Sequence, residues 1–205
     1  MANLTGRLRR WLTAAVRPED LLPEELPEYA RSYVYMFGAL TLGSFVCLVA
    51  SGLTLALFGP SWWHVTAVGH FVNSIHFWSV QAFFFFMVLH LWAQFLMAAW
   101  RGGRRLTWVV GALTFVCSIM AAFTGYLSQQ NLDSQWIAAQ GKDAINSVGL
   151  GAFFNLLNFG QMYSIHIAVM PLVIAALISL HVVLVRRRGL VPPLADDDPA
   201  GGEGR

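Results

Sequence analysis

Residues 74–90 read SIHFWSVQAFFFFMVLH, and residues 164–181 read SIHIAVMPLVIAALISLH. Both stretches are apolar and free of Asp, Glu, Lys and Arg, and each carries a histidine near either end. The first holds His76 and His90, the second His166 and His181, so the members of a pair are 14 and 15 residues apart. At 3.6 residues per turn both gaps are close to four turns. Each pair therefore shares one helix face, with its members about 21–23 Å apart along the axis. Two such helices side by side set histidine against histidine twice, once near each end. Neutral imidazole is an axial ligand for haem iron, and the pattern predicts two stacked haems, each held between two helices. A lone intramembrane histidine can be a mere polar contact. A proton relay would recruit carboxylates, which these spans lack.

The 205-residue chain is 57% hydrophobic and 12% charged, too apolar for an ordinary soluble domain. No charged residue occurs over 32–100. Four segments, 33–58, 74–100, 106–127 and 163–185, are long enough to cross about 30 Å of hydrocarbon. The fold class expected is all-α, an integral-membrane antiparallel four-helix bundle. Twelve of the thirteen basic residues precede the first span, join the second to the third, or follow the fourth; the exception is Lys142. The positive-inside rule then places both termini in the cytoplasm, as in a multi-pass protein of the cytoplasmic membrane. The stretch before the first span lacks the apolar core of a cleavable signal peptide. Cys47 and Cys117 fall inside spans and read as small buried hydrophobes. With no C-x-x-C-H, nothing signals covalent haem attachment, and nothing suggests a nucleic-acid partner.

The chain divides into a cytoplasmic segment 1–32, the bundle over 33–190 and a tail 191–205 whose Pro, Gly and Asp content predicts disorder. Within the first, Leu4, Leu8, Trp11, Leu12 and Ala15 share one helical face, apart from Arg7, Arg9 and Arg10. This suits an amphipathic helix lying in the membrane interface, the alternative being a solvated basic arm. Pro18, Pro23 and Pro27 then break regular structure. The long connector 128–162 is expected to form one or two short helices across the mouth of the bundle. His64 and His70 lie in the loop after the first span, outside the histidine pairing.

Glycines repeat the interval. Gly38 and Gly52 on the first span are 14 apart, and so are Gly111 and Gly125 on the third. Glycine lets a large flat ligand approach a helix backbone. Close packing of helices through small residues is the competing explanation, but the step shared with the histidines favours the ligand. Pro171, five residues after His166, is expected to kink its helix and adjust the aim of that ligand.

Several motifs together resemble the cytochrome b/b6 family, the quinol-oxidising core of bc-type complexes, over about residues 33–194. They are His76-Phe77-Trp78-Ser79 followed by His90; Leu106-Thr107-Trp108 with Gly111; Gly125-Tyr126 and then Trp136; Tyr163-Ser164-Ile165-His166 with Pro171 and His181; and the basic run at 186–189. The 15-residue spacing resembles the short b6-type form. The resemblance implies two non-covalent b haems, the outer one on His76 and His166 and the inner one on His90 and His181. The four glycines and Arg186 would lie beside them. It also implies quinone or quinol as substrate, with an inner pocket near Arg31 and Arg186 and an outer one under the connector near Tyr126 and Trp136. Implied partners are a Rieske iron–sulfur protein, a C-terminal cytochrome b chain like subunit IV, a cytochrome c or other terminal oxidoreductase, membrane lipid and a dimeric assembly.

The sequence departs from the family at several points. Positions where arginines often stand beside the haem carboxylates read Asn73, Phe77, Ala93 and Gln161. Gln129-Gln130 replaces Pro-Trp. Met36 replaces the cysteine that attaches an extra haem in b6-type proteins. The later helices bearing Pro-Glu-Trp-Tyr are not in this chain. With Lys142 the only cation on the outer side, it or the neutral donors Asn73, Asn131, Gln129 and Gln130 are expected to serve the outer haem's carboxylates. Two functions remain open. One is the N-terminal half of a split cytochrome b in a bc-like respiratory complex. The other is a dihaem, quinone-linked membrane anchor of another oxidoreductase, for example a nitrate-reductase-like enzyme. A transporter or assembly factor without redox chemistry is the outside reading.

Overall fold

The structure is a computed structural model that describes Thr5, Gly6 and residues 27–192. Apart from Thr5 and Gly6, the amphipathic stretch expected over 4–16 lies outside the described residues, as does the tail beyond 192. A 3-10 turn, Glu28–Arg31, leads into α1, Tyr33–Phe58. Gly59, at φ 78°, ends α1, and Pro60 opens the short α2, Pro60–Val65. A proline suits that first turn because its missing N–H has no helical acceptor there. Thr66 stops α2 and caps α3, Ala67–Leu96, by accepting the Gly69 N–H at 3.0 Å. That cap starts α3 ahead of the expected position 74, since Gly69, His70 and Asn73 read as loop in sequence.

The next turn uses left-handed backbone at Ala98, Gly102 and Gly103 before α4, Arg105–Leu127. The connector forms α5, Leu132–Ser147, capped by Asn131, which accepts the Ser134 N–H at 2.8 Å. The last helix, α6, runs Phe159–Arg188 from an Asn158 cap to Gly189, at φ 71°. Among the described residues all the secondary structure is helical.

Helices α1, α3, α4 and α6 are each long and apolar enough to cross a membrane, and the chain is an integral membrane protein. Large apolar side chains such as Leu57, Trp78, Phe85, Trp92 and Leu172 face outwards. Water would not tolerate that surface on a monomer, whereas hydrocarbon solvates it. Hydroxyls within the spans turn back on their own helices, as Thr114 does on Val110 O at 2.8 Å and Ser118 on Thr114 O at 2.8 Å. Cys47 is exposed and Cys117 half-buried, so the expectation that both are buried is corrected. A lipid-facing position asks only for an apolar side chain, which free cysteine supplies.

Helix α1 lies along α3, and α4 along α6, while the two pairs meet sparsely. The histidine-bearing α3 and α6 thus stand apart, with a slot between them. One end of the bundle is covered by α5, through a core of Leu127, Ala138, Leu156 and Met162 backed by Phe123, Ile145 and Ile165. The other end, rich in arginine, is closed by the chain leaving α6. There Tyr35 donates to Val191 O at 2.6 Å, Arg104 donates to Leu190 O at 3.4 Å, and Arg188 donates to Gly103 O.

Candidate functional site

The slot is crossed twice by imidazoles. The ring centres of His76 and His166 are 6.3 Å apart with planes at 88°, and those of His90 and His181 are 6.4 Å apart at 89°. Edge-to-face rings can also sit at such distances without a ligand. The outward nitrogens decide what these rings can do.

His166 Nδ1 lies 3.0 Å from Ala121 O, and His181 Nδ1 lies 3.1 Å from Thr107 O. Carbonyls only accept, so Nδ1 carries the hydrogen in both rings and Nε2 keeps its lone pair. His76 Nδ1 is 3.0 Å from Ser51 Oγ, whose own proton goes to Cys47 O at 2.7 Å. That hydroxyl is therefore an acceptor for the imidazole. Fixing the far nitrogen in this way orients a metal-binding histidine and makes it a better donor. His90 differs, because its Nδ1 is buried without a hydrogen-bond partner among the described residues.

The glycines explain how the rings reach these acceptors. Ala121 and Thr107 each stand four residues before a glycine, Gly125 and Gly111. In an α-helix the carbonyl four residues earlier lies beneath that position, so a missing side chain leaves it open to a ring from the side. A Cβ on Gly125 would sit 2.5 Å from His166 Cε1, and one on Gly111 would sit 2.9 Å from His181 Cε1. On α1, Gly52 would place a Cβ 3.1 Å from His76 Cε1 and Gly38 one 3.2 Å from His90 Cε1. All four glycines hold room for an imidazole edge.

The unequal spacing resolves in α6. Residues Ile165–Val169 form a π-turn, with the Met170 N–H bonded to Ile165 O. Pro171 has no N–H to give to Ile167 O, which favours the wider turn. A π-turn takes up about one residue more than an α-turn. The longer interval from His166 to His181 thus places its rings as the shorter one from His76 to His90 does.

The donor set fits haem. A metal–imidazole bond of about 2 Å on each side, with about 1.2 Å more to each ring centre, puts the centres about 6.4 Å apart. Among the described residues no third His, Cys, Asp or Glu joins either pair. A bare ion would want about four protein ligands, so a group bound here brings its own equatorial donors, as a porphyrin does. A cavity of about 360 Å³ opens onto both His90 and His181, between buried Phe83 and Met87. Its walls carry three buried polar atoms with no hydrogen-bond partner among the described residues: His90 Nδ1, Arg104 Nε and Thr107 Oγ1.

The remaining sequence candidates separate. Arg186 lines that cavity, while Arg31 is exposed on its 3-10 turn and does not. Tyr126 is half-buried near the end of α4, and Trp136 is 67% exposed on α5. His64 and His70 are exposed and, as expected, take no part in the histidine couples. Of the neutral donors expected at the α5 end, Asn73 and Gln129 are paired, whereas Gln130 and Asn131 are exposed. Asn73 and Gln129 bond each other at 3.1 and 3.3 Å, Asn131 caps α5, and Lys142 is exposed. Ser51, Trp63 and Arg104 carried no individual reading in the sequence, and Thr107 and Tyr163 entered only within the family motifs. The step of four before Gly111 was the one signal that pointed to Thr107.

The family described as "Cytochrome b(N-terminal)/b6/petB" matches residues 81–203. Cytochrome b6 of Chlamydomonas reinhardtii is 29% identical over 199 residues, covering 86% of this chain and 92% of that protein. The menaquinol:cytochrome c reductase cytochrome b subunit of Geobacillus thermodenitrificans is 26% identical over 204 residues, covering 85% of this chain and 91% of its own. Among solved structures, a chain of a hyperthermophilic respiratory Complex III superposes with a TM-score of 0.69 at 22% identity. That match covers 90% of this chain and 53% of the other, so this chain spans about half the length of that one.

Proposed function

This chain belongs to the cytochrome b N-terminal/b6 family of electron-transport membrane proteins, and on that premise we propose that it holds two non-covalent b haems and passes electrons between membrane quinol or quinone and redox partners. The observation that carries this reading is the pair of crossed imidazole couples, 6.3 and 6.4 Å between centres, spanning the slot between α3 and α6. His76 with His166, and His90 with His181, would supply the axial ligands. Haem iron, when bound, supplies one-electron redox chemistry. The chain's own part is to fix Nδ1 on Ser51, Ala121 and Thr107, to keep the ring space clear at the four glycines, and to exclude water from the slot.

Within this proposal the subunit is the N-terminal half of a split cytochrome b. Its partners are a Rieske protein, a C-terminal cytochrome b chain and a cytochrome c or other terminal oxidoreductase, in a dimeric bc-like complex. Arg186, on the wall of the 360 Å³ cavity, is the favoured contact for quinone at the arginine-rich end. Tyr126 and Trp136 are the candidates at the other. The Asn73–Gln129 amide couple, with Asn73 standing where the family often has arginine and Gln129 where it has proline, favours the second reading, a dihaem anchor of another oxidoreductase. Identifying the subunits that co-purify decides between them: a Rieske protein for the first, a molybdenum enzyme for the second.

The purified protein is expected to yield two haem b per chain in a pyridine haemochrome assay, both extractable by acidic acetone. Met36 has no thiol from which a covalent thioether link to haem could form, so no haem-stained band should survive denaturing electrophoresis; one that did would contradict non-covalent binding. The arginine-rich end is assigned to the cytoplasm by charge bias. In a variant with Cys47 and Cys117 replaced by serine, single cysteines at Ser61 and Arg101 should react with an impermeant label from opposite sides of the membrane. Labelling from one side alone would overturn the four-span topology.

A further inference from the structure

Two buried donors at the α5 end of the slot have no hydrogen-bond partner among the described residues: Trp63 Nε1 and Tyr163 Oη. Trp63 is 4% exposed. It belongs to α2, whose backbone rests on Gly69, where a Cβ would come 2.6 Å from Trp63 Cα. Gly69 precedes His76 by about two turns on the same face of α3. Tyr163 comes just under one turn before His166, on the histidine side of α6. The rings of Trp63 and Tyr163 are 6.2 Å apart. Trp63 therefore reaches from the histidine face of α3 towards that of α6. Both donors stand about one to two turns beyond the His76–His166 couple, towards the membrane boundary.

The other amides at this end are paired or exposed, Gln130, Asn131 and Asn158 being among the exposed ones. Asn73 and Gln129 hold each other. Asn131 and Asn158 cap helices. Gln161 accepts the Asn155 N–H at 2.7 Å and donates to Phe153 O at 2.8 Å. Lys142, the only Lys or Arg among the described residues of this end, lies exposed on α5. A haem carries two carboxylates, and in hydrocarbon these cannot be left without donors. Their edge must face the nearer boundary, which is where the two unpartnered donors lie.

We infer that Trp63 Nε1–H and Tyr163 O–H hold the carboxylates of the haem bound between His76 and His166, doing with neutral groups what arginines would otherwise do. The inference rests on the two-haem reading above. Two consequences follow from the charge balance. Hydrogen bonds offset part of the carboxylate charge, so removing them makes the site more negative and disfavours the reduced haem. The arginine-rich end, about four turns away along α3, should not respond.

The test uses the purified, fully assembled complex. His76→Ala first identifies which spectral component belongs to this end. Tyr163→Phe removes one O–H with little change of shape, and Trp63→Phe removes the N–H. Haem content, a redox titration of both components and resonance Raman of the propionate-bending band are then compared. The expected result is full haem content in Tyr163→Phe, a lower midpoint and a shifted propionate band for the His76–His166 component, and no change in the other. Trp63→Phe should act in the same direction and the double variant more strongly. An unmoved midpoint and band in Tyr163→Phe, or equal shifts of both components, would overturn the inference. Should the Trp63 variants fail to accumulate, Tyr163→Phe alone decides. Wild-type protein with fewer than two haems would instead overturn the underlying reading, before any variant is compared.

Discussion

Alanine at His76 or at His166 is expected to abolish one and the same b-type component, and alanine at His90 or His181 the other. Each substitution removes one of the two proposed ligands at a site whose geometry is set by both rings, 6.3 Å apart in one couple and 6.4 Å in the other. Haem content should fall by half in each single variant and to none in His76→Ala combined with His90→Ala. The unaffected component should keep its spectrum, since the couples lie about 21 Å apart along α3. In the intact protein both irons should be six-coordinate and low-spin, so carbon monoxide should bind slowly or not at all. Loss of the same component in His76→Ala and His181→Ala would show that the helices are paired differently.

The second large effect is expected at the glycines, with its severity graded by distance. Gly125→Ala puts a methyl 2.5 Å from His166 Cε1, 2.9 Å from Nε2 and 3.0 Å from Nδ1. The ring cannot stay and keep its bond to Ala121 O. Overpacking of this kind costs about 1–3 kcal/mol even in adaptable cores, and here it also withdraws the ligand. Loss of the His76–His166 component is the expected outcome. Gly111→Ala, at 2.9 Å from His181 Cε1, should strongly deplete the other component. Gly52→Ala and Gly38→Ala, at 3.1 and 3.2 Å, ask a ring to move by a few tenths of an ångström. They should retain haem with altered low-spin electron paramagnetic resonance signals. Visible spectra and haem content across the four variants provide the check. An unaffected Gly125→Ala beside a haemless Gly38→Ala would contradict the ranking.

Much of this was legible in the chain itself. The histidine interval, the four apolar spans and the arginine bias are properties of single helices and their flanks. They follow from backbone geometry and transfer free energy alone, and the first span, 33–58, coincides with α1, Tyr33–Phe58. The start of α3 was misplaced because its signal is a threonine hydroxyl reaching the Gly69 N–H, a bond that composition around Gly69 and His70 disguises. The glycine repeat was read correctly as spacing. Which partner fills the space beside each glycine was not readable, and the structure puts an imidazole edge there.

What the sequence determined by itself is the class of the molecule and which residues share one face of a helix. An α-helix has a fixed period, and an apolar layer of about 30 Å demands a fixed length. What only the tertiary structure decided depends on the relative phase and depth of different helices. It anchored His166 on Ala121 O, His181 on Thr107 O and His76 on Ser51, and it left His90 Nδ1 unpartnered. The π-turn over Ile165–Val169 brought the longer histidine interval into step with the shorter one. Trp63 came from a short helix to stand beside Tyr163, which is remote from it in the chain. No local pattern encodes such a meeting, because it arises only when α2 settles on Gly69 and the two helix pairs close around the slot.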